Sequence, residues 1–495
     1  MATPERTEEQ GPRPGTTAAP AVTAPATPSN ATSNAPAKAA PAAAPPAGAS
    51  RLSPAAVRAR LRRAAAHAPG RLRLAGALLA ALTLAFGVLT AWQTHSRAQA
   101  ADRVVSYSEP LSQAAADIHR SLADADTTAA TGFLLAGSEP KPVRQRYEDD
   151  IATASRLIAE AAARTTASSP AQQWLSALNQ QLPVYAGLVE SARANNRQGY
   201  PLGGAYLRYA SEQMRGTLLP AAEKLAAAEN QQLERDYADA RAVPWASWAL
   251  GLLALAALVL VQQVLYRRTN RVFNLGLLGA TASMLAALLW LGAGGLVVDG
   301  RLADGERLGS TPLRALNTAR VDVLTARLAE NLHFVARGSS TKYAELWGKT
   351  TEGLAGRPGP DGSRDARAGT LAQAEQLAPR DAADAVRRAR EQFTVWDERH
   401  NGAVKAESVD GNYQAAVDAT ITTGEADIPK TSDAAFAAAD RDLAQAATVE
   451  QASFLASARG TGGLLNTMSV GAGVLALLAA VCALRGLGRR LAEYR

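Results

Sequence analysis

Four long apolar stretches constrain this chain more than any other feature of its sequence. They cover about residues 74–92, 245–266, 272–298 and 464–484. None of them contains Asp, Glu, Lys, Arg or His. An α-helix needs about 20 predominantly apolar residues to cross a bilayer. Trp92, Trp245 and Tyr266 stand at their ends, where amphipathic rings prefer the membrane interface. The sequence therefore predicts four transmembrane helices.

Charge is distributed unevenly around these stretches and sets the predicted orientation. Residues 1–73 carry ten Lys and Arg against three Asp and Glu, and the link 267–271 and the tail 485–495 are also basic. The long segments 93–244 and 299–463 are slightly acidic. Because cytoplasmic loops are rich in Lys and Arg, both termini are predicted to be cytoplasmic and both long segments extracytoplasmic. The expected location is the cell membrane, with several passes.

The residues before the first stretch are of two kinds. Residues 1–50 are rich in Pro, Ala, Thr and Ser and lack apolar periodicity, which predicts a disordered cytoplasmic arm, either a solvated spacer or a segment that captures a partner. Residues 51–73 are rich in Arg, and we expect them to fix the topology and to touch anionic lipids. Residues 98–100 resemble a signal-peptidase site, but the long preceding region favours an uncleaved signal anchor.

Both long segments have the pattern of amphipathic helices. In residues 101–135, apolar side chains recur at intervals of three and four, and similar runs follow up to Pro220, where a kink is expected. Gly137 is placed to end the first helix. Four helices joined by short turns predict an up-and-down bundle. The predicted fold class is an all-α membrane protein with extracytoplasmic four-helix bundles at 93–244 and 299–463.

Short phrases of the first long segment return in the second. "GFLLAGS" at 132–138 corresponds to "HFVARGS" at 333–339. Three residue pairs keep the same order: Phe133 with Phe334, Gly137 with Gly338, and Tyr185 with Trp396. Each match alone is weak in alanine-rich sequence, but their common order predicts a duplicated unit of span, bundle and span. An insertion at 356–365 in the second copy is expected to be an exposed loop.

The polar residues form no recognisable catalytic or ligand-binding pattern. "GKT" at 348–350 lacks the upstream glycine of a phosphate-binding loop, and the five histidines lack the spacing of metal ligands. His119 and His333 are either ligand-binding or pH-sensing groups or partly buried helical residues. The carboxylate runs 148–150 and 397–398 are typical of solvated helix faces. We expect no enzyme activity, no cofactor and no metal, and, with no ionisable residue inside the spans, no transport.

The phrase "ATGFLLAGSEPKPVRQRYEDDIATASRLI" resembles the four-helix-bundle sensor domains of bacterial chemoreceptors and histidine kinases, including the CHASE3 type. In those domains an aromatic-Leu-Leu-x-Gly sequence ends the first helix and a Tyr follows in the next. At these positions the chain has Phe133, Gly137 and Tyr147 in the first segment and Phe334, Gly338 and Tyr343 in the second. The four-span layout is similar to that of the GlnX-type family of actinobacterial signalling membrane proteins. The resemblances imply a tandem sensor.

Only short basic segments follow the second and fourth spans, so we predict a membrane signalling protein that relays an extracytoplasmic signal to a separate cytoplasmic partner. The resemblance implies a nutrient signal, such as an amino acid or a solute-binding lipoprotein, and a Ser/Thr protein kinase as partner. Tyr200 and Tyr413 mark loops that are either ligand or partner contacts or ordinary helix connections. The alternative function is an envelope scaffold or anchor. The lipid bilayer is an expected partner, nucleic acid is not, and homo-oligomerisation is left open.

Overall fold

The structure is a computed structural model. It describes residues 68–135, 139–269, 274–359, 364–365, 367–421, 430–458 and 461–492. The predicted arm 1–50, most of the basic segment 51–73, Gly137 and part of the insertion 356–365 lie outside the described residues. Within them the chain is helical, and its only β-type pairing is an isolated bridge between Pro358 and Arg364. The predicted all-α fold class is confirmed for this part of the chain.

The described residues form fifteen α-helices, numbered in chain order. Alanine-rich runs with an apolar face favour helices, because alanine loses no side-chain entropy in a helix. The bounds are α1 Ala68–Arg103, α2 Glu109–Leu134, α3 Lys141–Arg164, α4 Ala171–Arg197, α5 Leu202–Gln213, α6 Leu219–Arg241, α7 Trp245–Thr269, α8 Leu275–Gly305, α9 Thr311–Val335, α10 Thr341–Ala355, α11 Gly369–Leu377, α12 Arg380–Ser408, α13 Tyr413–Thr420, α14 Ser432–Ala458 and α15 Thr461–Ala492.

Three π-helical turns join consecutive helices without a break. They are π1 (Val104–Ser108) between α1 and α2, π2 (Met214–Leu218) between α5 and α6, and π3 (Glu306–Ser310) between α8 and α9. Each is followed at the second residue by a proline: Pro110, Pro220 and Pro312. Proline has no N–H and clashes with the carbonyl four residues earlier, and the wider turn accommodates it. Where the sequence predicts a kink at Pro220, the helix has a π turn.

Arg164 at the end of α3 satisfies the backbone group that π1 leaves free. Pro110 cannot donate to the Ser106 carbonyl, which lies four residues earlier. The Nη2 atom of Arg164 donates to that carbonyl oxygen instead, at 2.8 Å. The π turn is therefore part of the bundle's hydrogen-bonding scheme and not a local defect.

Four helices of the described chain are long and apolar enough to cross a membrane. They lie in Gly70–Leu134, Leu202–Arg267, Leu275–Gly305 and Gly463–Arg489. The predicted number of four is confirmed, and the limits of the spans stay predictions. The first of these helices has 65 residues. At 1.5 Å per residue it is about 100 Å long, roughly three times the hydrocarbon thickness of a bilayer, so most of it projects beyond the span.

The membrane-spanning helices pack through small residues. Helix α15 packs against α1 and α8, and α7 packs against the same two helices. A Cβ atom added to Gly276 would stand 2.3 Å from the Cα atom of Gly486, so the contact requires glycine. Asn274 Nδ2 donates to the Gly486 carbonyl oxygen at 2.8 Å beside this contact. Close backbone approach and an interhelical amide bond are typical of helix packing in lipid.

The first outer unit, residues 104–241, is a four-helix bundle. Its helices are α2, α3, α4 and the continuous α5–π2–α6. Pro140 and Pro170 precede α3 and α4, and Ser169 Oγ accepts the Ala171 N–H at 3.2 Å at the start of α4. The core contains Leu111, Ile118, Leu122, Ile158, Leu178, Tyr185, Val189 and Met214.

The second outer unit, residues 306–458, follows the same order with two additional short helices. The four long members are α9, α10, α12 and α14, while α11 follows α10 and α13 precedes α14. Trp396 stacks edge-on against Trp347 and Phe436, with ring centroids 5.2 Å and 5.5 Å apart. Arg364 of the insertion donates to the Asp397 carboxylate at 3.0 Å and is largely buried. This part of the insertion is therefore held against α12, whereas the sequence predicts an exposed loop.

The first helices of the two units, α2 and α9, pack side by side in parallel. Thr127 Oγ1 donates to the Leu324 carbonyl oxygen at 3.0 Å. Further along both helices, Asn331 Nδ2 donates to Thr131 Oγ1 at 2.8 Å. Residues at equal heights in the two units therefore meet at the contact.

Two ion pairs link the units reciprocally. Arg146 of α3 stands 3.4 Å from Asp440 of α14. Lys342 of α10 stands 2.7 Å from Glu212 of α5. The second helix of each unit therefore contacts the fourth helix of the other, as in an isologous interface, where the same patch is used twice.

Candidate functional site

A cavity of about 480 Å³ lies between the two outer units. Helices α2 and α6 of the first unit and α9 of the second form its walls. Ligand sites are typically concave and of this size. We call it the inter-unit cleft, and its ionisable and amide lining includes Glu109, His119, Glu223, Asn230, Arg314 and Asp322.

The inter-unit cleft is elongated along the helices. On the α9 side its lining runs from Ser310 to Thr325. At 1.5 Å per residue this is about 22 Å, so the lining of the cavity extends along about four turns of α9. Glu109 interacts electrostatically with Arg314 and lies at the end near the membrane.

The opposite end of the cleft is fixed by the antiparallel pairing of α2 with α6. Ser112 Oγ donates to Asn230 Oδ1 at 2.7 Å across these two helices. Seven residues further along α2 and seven residues back along α6 bring His119 to the level of Glu223. This membrane-distal end therefore combines a histidine and a carboxylate from the first unit with Asp322 from the second.

All three π turns adjoin the inter-unit cleft. Glu109 follows π1, Leu219 follows π2, and Ser310 is the last residue of π3, and all three residues line the cavity. π-helical turns are frequent at functional sites. A molecule in the cleft would touch the points at which these helices depart from α-helical winding.

Burial shifts the pKa values of three groups in the cleft. It raises the pKa of Glu109 to about 7, against an opposing effect of Arg314. Glu109 is 4% exposed and receives no hydrogen bond from the described residues. Burial lowers the pKa of His119 to about 4, so this imidazole is neutral at pH 7. Burial also raises the pKa of Asp322, although Thr370 Oγ1 donates to it at 2.9 Å.

The first unit has a buried carboxylate near its membrane-distal end, which we call the first polar centre. Asp126 Oδ1 accepts hydrogen bonds from Tyr185 at 3.1 Å and Ser211 at 2.9 Å. The Oδ2 atom has no partner among the described residues. Burial raises the pKa of Asp126 to about 6, and the two hydroxyls and the charge of Arg215 only partly oppose it.

The second unit has a denser arrangement at the corresponding place, the second polar centre. Glu330 accepts from Arg327 at 2.6 Å and from Trp396 Nε1 at 2.8 Å, and His400 Nδ1 lies 3.1 Å away. Arg327 also donates to Asp433 at 2.9 Å. Burial by itself would raise the pKa of Glu330, but Arg327, His400 and Trp396 outweigh it and lower the value to about 2.

The two predicted contact tyrosines lie in different environments. Tyr200 follows Gly199, which has a φ of 73°, and is 57% exposed between α4 and α5. Tyr413 begins α13, and its hydroxyl donates to the Phe334 carbonyl oxygen at 3.0 Å. Tyr200 is thus available to a partner, while Tyr413 ties its loop to α9. Their role as contacts stays a prediction.

The predicted landmark residues lie at the membrane-distal ends of the units. Phe133 packs against the first core, and Phe334 is fully buried beside α13. Gly338, with a φ of 63°, has the left-handed backbone conformation that favours glycine after a helix. Tyr147 is buried under the guanidinium of Arg193, 4.1 Å from its ring centroid. Gly137 lies outside the described residues.

Metal-binding geometry is not found in the described part of the chain, where no group of three or more His, Cys, Asp or Glu side chains could hold an ion. His333 Nε2 instead stands 2.9 Å from a carboxylate oxygen of Glu407. Cys482 is a free cysteine on α15.

The comparisons with known proteins bear on the first unit. Residues 100–238 match the family model described as "Actinobacterial sensor domain". This stretch begins at the end of α1 and covers π1 and the bundle up to the last turn of α6. No curated protein and no solved structure matches the chain. The sensor-domain match and the four membrane-capable helices together fit a multi-pass membrane sensor.

Of the residues that line the inter-unit cleft, the sequence singles out His119. The carboxylates of the cleft and of the two polar centres were not identified. Asp126 and Glu330 lie in apolar helix faces, where a carboxylate interrupts the periodicity, and this interruption was the available signal. The cleft has no signal of its own in the sequence, because its walls come from helices of two units.

Proposed function

We propose that the protein is a membrane sensor that binds an extracytoplasmic ligand, or a ligand-loaded partner, with its outer units and relays the event to a separate cytoplasmic protein. The observation that carries this proposal is helix continuity. The helices α1–π1–α2 and α8–π3–α9 each run from a membrane-capable segment into a wall of the inter-unit cleft. A change in the cleft therefore acts directly on helices that enter the bilayer.

The proposed relay requires two arrangements of the units with different affinity for the ligand. A ligand in the cleft contacts α2, α6 and α9, so it favours one spacing of these helices. The π turns supply places where the winding can adjust while the helix stays intact. Displacements of helices by about 1–2 Å are sufficient in known switching proteins.

We further propose that the two units arose by duplication and belong to the CHASE3-like or GlnX-type layout. Support comes from "SEPL" and "STPL", which begin at the last residues of π1 and π3. Arg146 and Lys342 add to it, since each precedes a buried tyrosine and each pairs with the other unit. In this layout both termini are cytoplasmic. The signal is a nutrient, such as an amino acid or a loaded solute-binding lipoprotein, and the partner is a Ser/Thr protein kinase. We propose no enzyme activity for the chain itself.

The test is site-specific crosslinking in native membranes. A photo-crosslinking residue at Tyr494 captures the cytoplasmic neighbours with and without added nutrients. We expect a signalling protein whose yield changes with the nutrient. Two glycines inserted between Arg103 and Val104, where α1 continues into π1, should abolish the change. The same insertion between Ala242 and Val243, where α6 and α7 are already separated, is the control and should leave the change in place.

The rival proposal is a scaffold or anchor of the envelope. It predicts an identical set of crosslinked cell-wall proteins under all nutrient conditions and no effect of the glycine insertion. The extensive reciprocal contacts between the units suit a rigid spacer, which is the observation in its favour. A nutrient-independent crosslinking pattern would sink the sensor proposal.

A further inference from the structure

We propose that the inter-unit cleft binds a linear aliphatic polyamine, with one terminal ammonium group beside Glu109 and the other beside Asp322 and Glu223. This inference rests on the proposed sensor function and specifies the class of its ligand. It follows from the shape of the cleft, the placement of its carboxylates and the character of the wall between them.

The shape of the cleft selects an extended molecule. Its volume is about 480 Å³, and its lining extends along about 22 Å of helix, so the cavity is elongated. A ring system or a branched solute would fill one end only. An unbranched chain can occupy the full length.

The carboxylates stand at two different levels within the cleft. The charge of Arg314 acts on Glu109, and Asp322 lies eight residues after Arg314 on α9. Eight residues of helix separate the two acidic ends by about 12 Å. Glu223 faces the cleft at the same end as Asp322. A ligand that satisfies both ends must carry two cationic groups at roughly this separation.

Glu109 is the strongest single indication of a cationic ligand. Only 4% of its surface is exposed. It lines the cavity and receives no hydrogen bond from the described residues. A buried carboxylate without donors is costly, and an ammonium group with three donors supplies what the site lacks. Burial raises the pKa of Glu109 to about 7, and a cation bound beside it would favour the ionised form.

The bases in the cleft do not repel a cation strongly. Arg314 Nη1 donates to Glu234 at 2.7 Å, which offsets part of its charge. His119 is neutral at pH 7, because burial lowers its pKa to about 4. The cleft as a whole therefore keeps an excess of negative charge at neutral pH.

The wall between the two acidic ends alternates apolar and amide groups. Ala116 and Ala226 face the cleft at one level, and Gln113 and Asn230 face it nearer to Glu109. Methylene groups fit the alanines, and the amide oxygens can accept from an internal ammonium group. A divalent cation fits less well, because no three ligating side chains converge among the described residues.

The experiment is a binding measurement on the full chain in nanodiscs of zwitterionic phosphatidylcholine, so that lipid charge does not bind the ligand. Spermidine, which can reach both ends, is titrated by calorimetry and compared with putrescine, which cannot. We expect spermidine to bind at least tenfold more tightly. Glu109→Gln and Asp322→Asn should each weaken spermidine binding about tenfold, which corresponds to loss of one charge-assisted contact of about 1.4 kcal/mol.

Two further variants keep the test decisive. Asp149→Asn removes an exposed carboxylate of α3 away from the cleft and should leave spermidine binding unchanged. Ala227→Trp adds bulk at an exposed position of the cleft wall and should block binding without altering any charge. Absence of spermidine binding, or equal losses in Asp149→Asn and Glu109→Gln, overturns the proposal.

The experiments distinguish failure of the polyamine-binding proposal from failure of the sensor proposal. If spermidine does not bind while another nutrient changes the crosslinking at Tyr494, the ligand class is wrong and the sensor function stands. If spermidine binds and the crosslinking does not change, the polyamine site is supported and the relay is not.

Discussion

The two polar centres solve the problem of a buried carboxylate in opposite ways. Asp126 in the first unit relies on two hydroxyl donors, and one of its oxygens has no partner among the described residues. Glu330 in the second unit has a fully buried arginine, an indole N–H and a histidine. The pKa values follow, at about 6 for Asp126 and about 2 for Glu330.

This difference shows that burial alone does not decide the charge state of a core residue. Both side chains are fully buried, and each accepts a hydrogen bond from the paired aromatic residue of its unit, Tyr185 or Trp396. Neutral donors reduce the rise in pKa that burial causes, whereas a cation such as Arg327 turns the rise into a decrease. The pKa of Asp126 therefore lies close to neutral pH, whereas Glu330 is ionised throughout the neutral range.

Removal of the cation from the second centre should have the largest effect. Arg327→Met leaves Glu330 buried with only Trp396 and His400 as partners and should cost about 3–5 kcal/mol of stability. Thermal unfolding of the full chain in detergent, with hydrogen exchange of α9 and α12, measures it. Arg156→Met at an exposed i,i+4 pair is the control and should cost under about 0.5 kcal/mol. Similar losses in both variants would contradict the comparison.

Neutralising the two acids should change stability in opposite directions at pH 7.5. Asp126→Asn keeps an acceptor for Tyr185 and removes the cost of burying an ionised carboxylate. It should therefore stabilise the protein by up to about 3 kcal/mol. Glu330→Gln removes the partner of Arg327 and should destabilise it by about 3 kcal/mol. Parallel melting curves test this. A shift of both variants in the same direction would show that the two centres are equivalent.

The two centres should change the stability of the protein over different pH ranges. Asp126 has a raised pKa, so the native state loses stability relative to Asp126→Asn as pH rises from about 3.8 to about 6, and the difference is constant above that. Glu330 has a lowered pKa, so its contribution is complete above about 4.5 and is lost as pH falls towards 2. Each slope is at most about 1.4 kcal/mol per pH unit. Coincident windows in the two variant series would be the contrary result.

The smallest effects are expected at the reciprocal ion pairs between the units. Arg146 also binds Asp124, which is 6% exposed, so Arg146→Ala should cost about 1–2 kcal/mol. Lys342 and Glu212 are both about half exposed, so Lys342→Ala should cost under about 0.5 kcal/mol. Denaturant unfolding of the two variants against Asp149→Asn measures the difference. Equal losses of stability in Arg146→Ala and Lys342→Ala would mean that solvent exposure does not determine the strength of these ion pairs.

The sequence was sufficient for the membrane-spanning helices and for most of the outer ones. Apolar length predicted the spans, and periodicity predicted the bundle helices, because both depend on local pattern alone. The pairing of Tyr185 with Trp396 also pointed to equivalent places, since each donates to the buried acid of its own unit. Those acids themselves were not recognised, because their donors come from helices distant in the chain.

The candidate site depended on information that a single sequence does not hold. Glu109 has the pattern of an exposed residue after Ser108, and only the packing of α9 against α2 buries it. Prolines at 110 and 312 are equally compatible with helix starts, so π1 and π3 were not predicted. Part of the insertion was expected to be exposed, yet Arg364 is held by Asp397, a partner 33 residues away.

The π turns have a consequence for any attempt to recombine the parts of this chain. Each turn contains one residue more than the α-helical winding it replaces, and one residue corresponds to about 100° of rotation. In α1–π1–α2, the helix before the π turn is therefore rotated by a fixed angle relative to the helix after it, and the same holds for α8–π3–α9. A chimera that joins these outer units to foreign spans must retain the surplus residue, or the receiving helices will face the bilayer more than a quarter turn out of alignment.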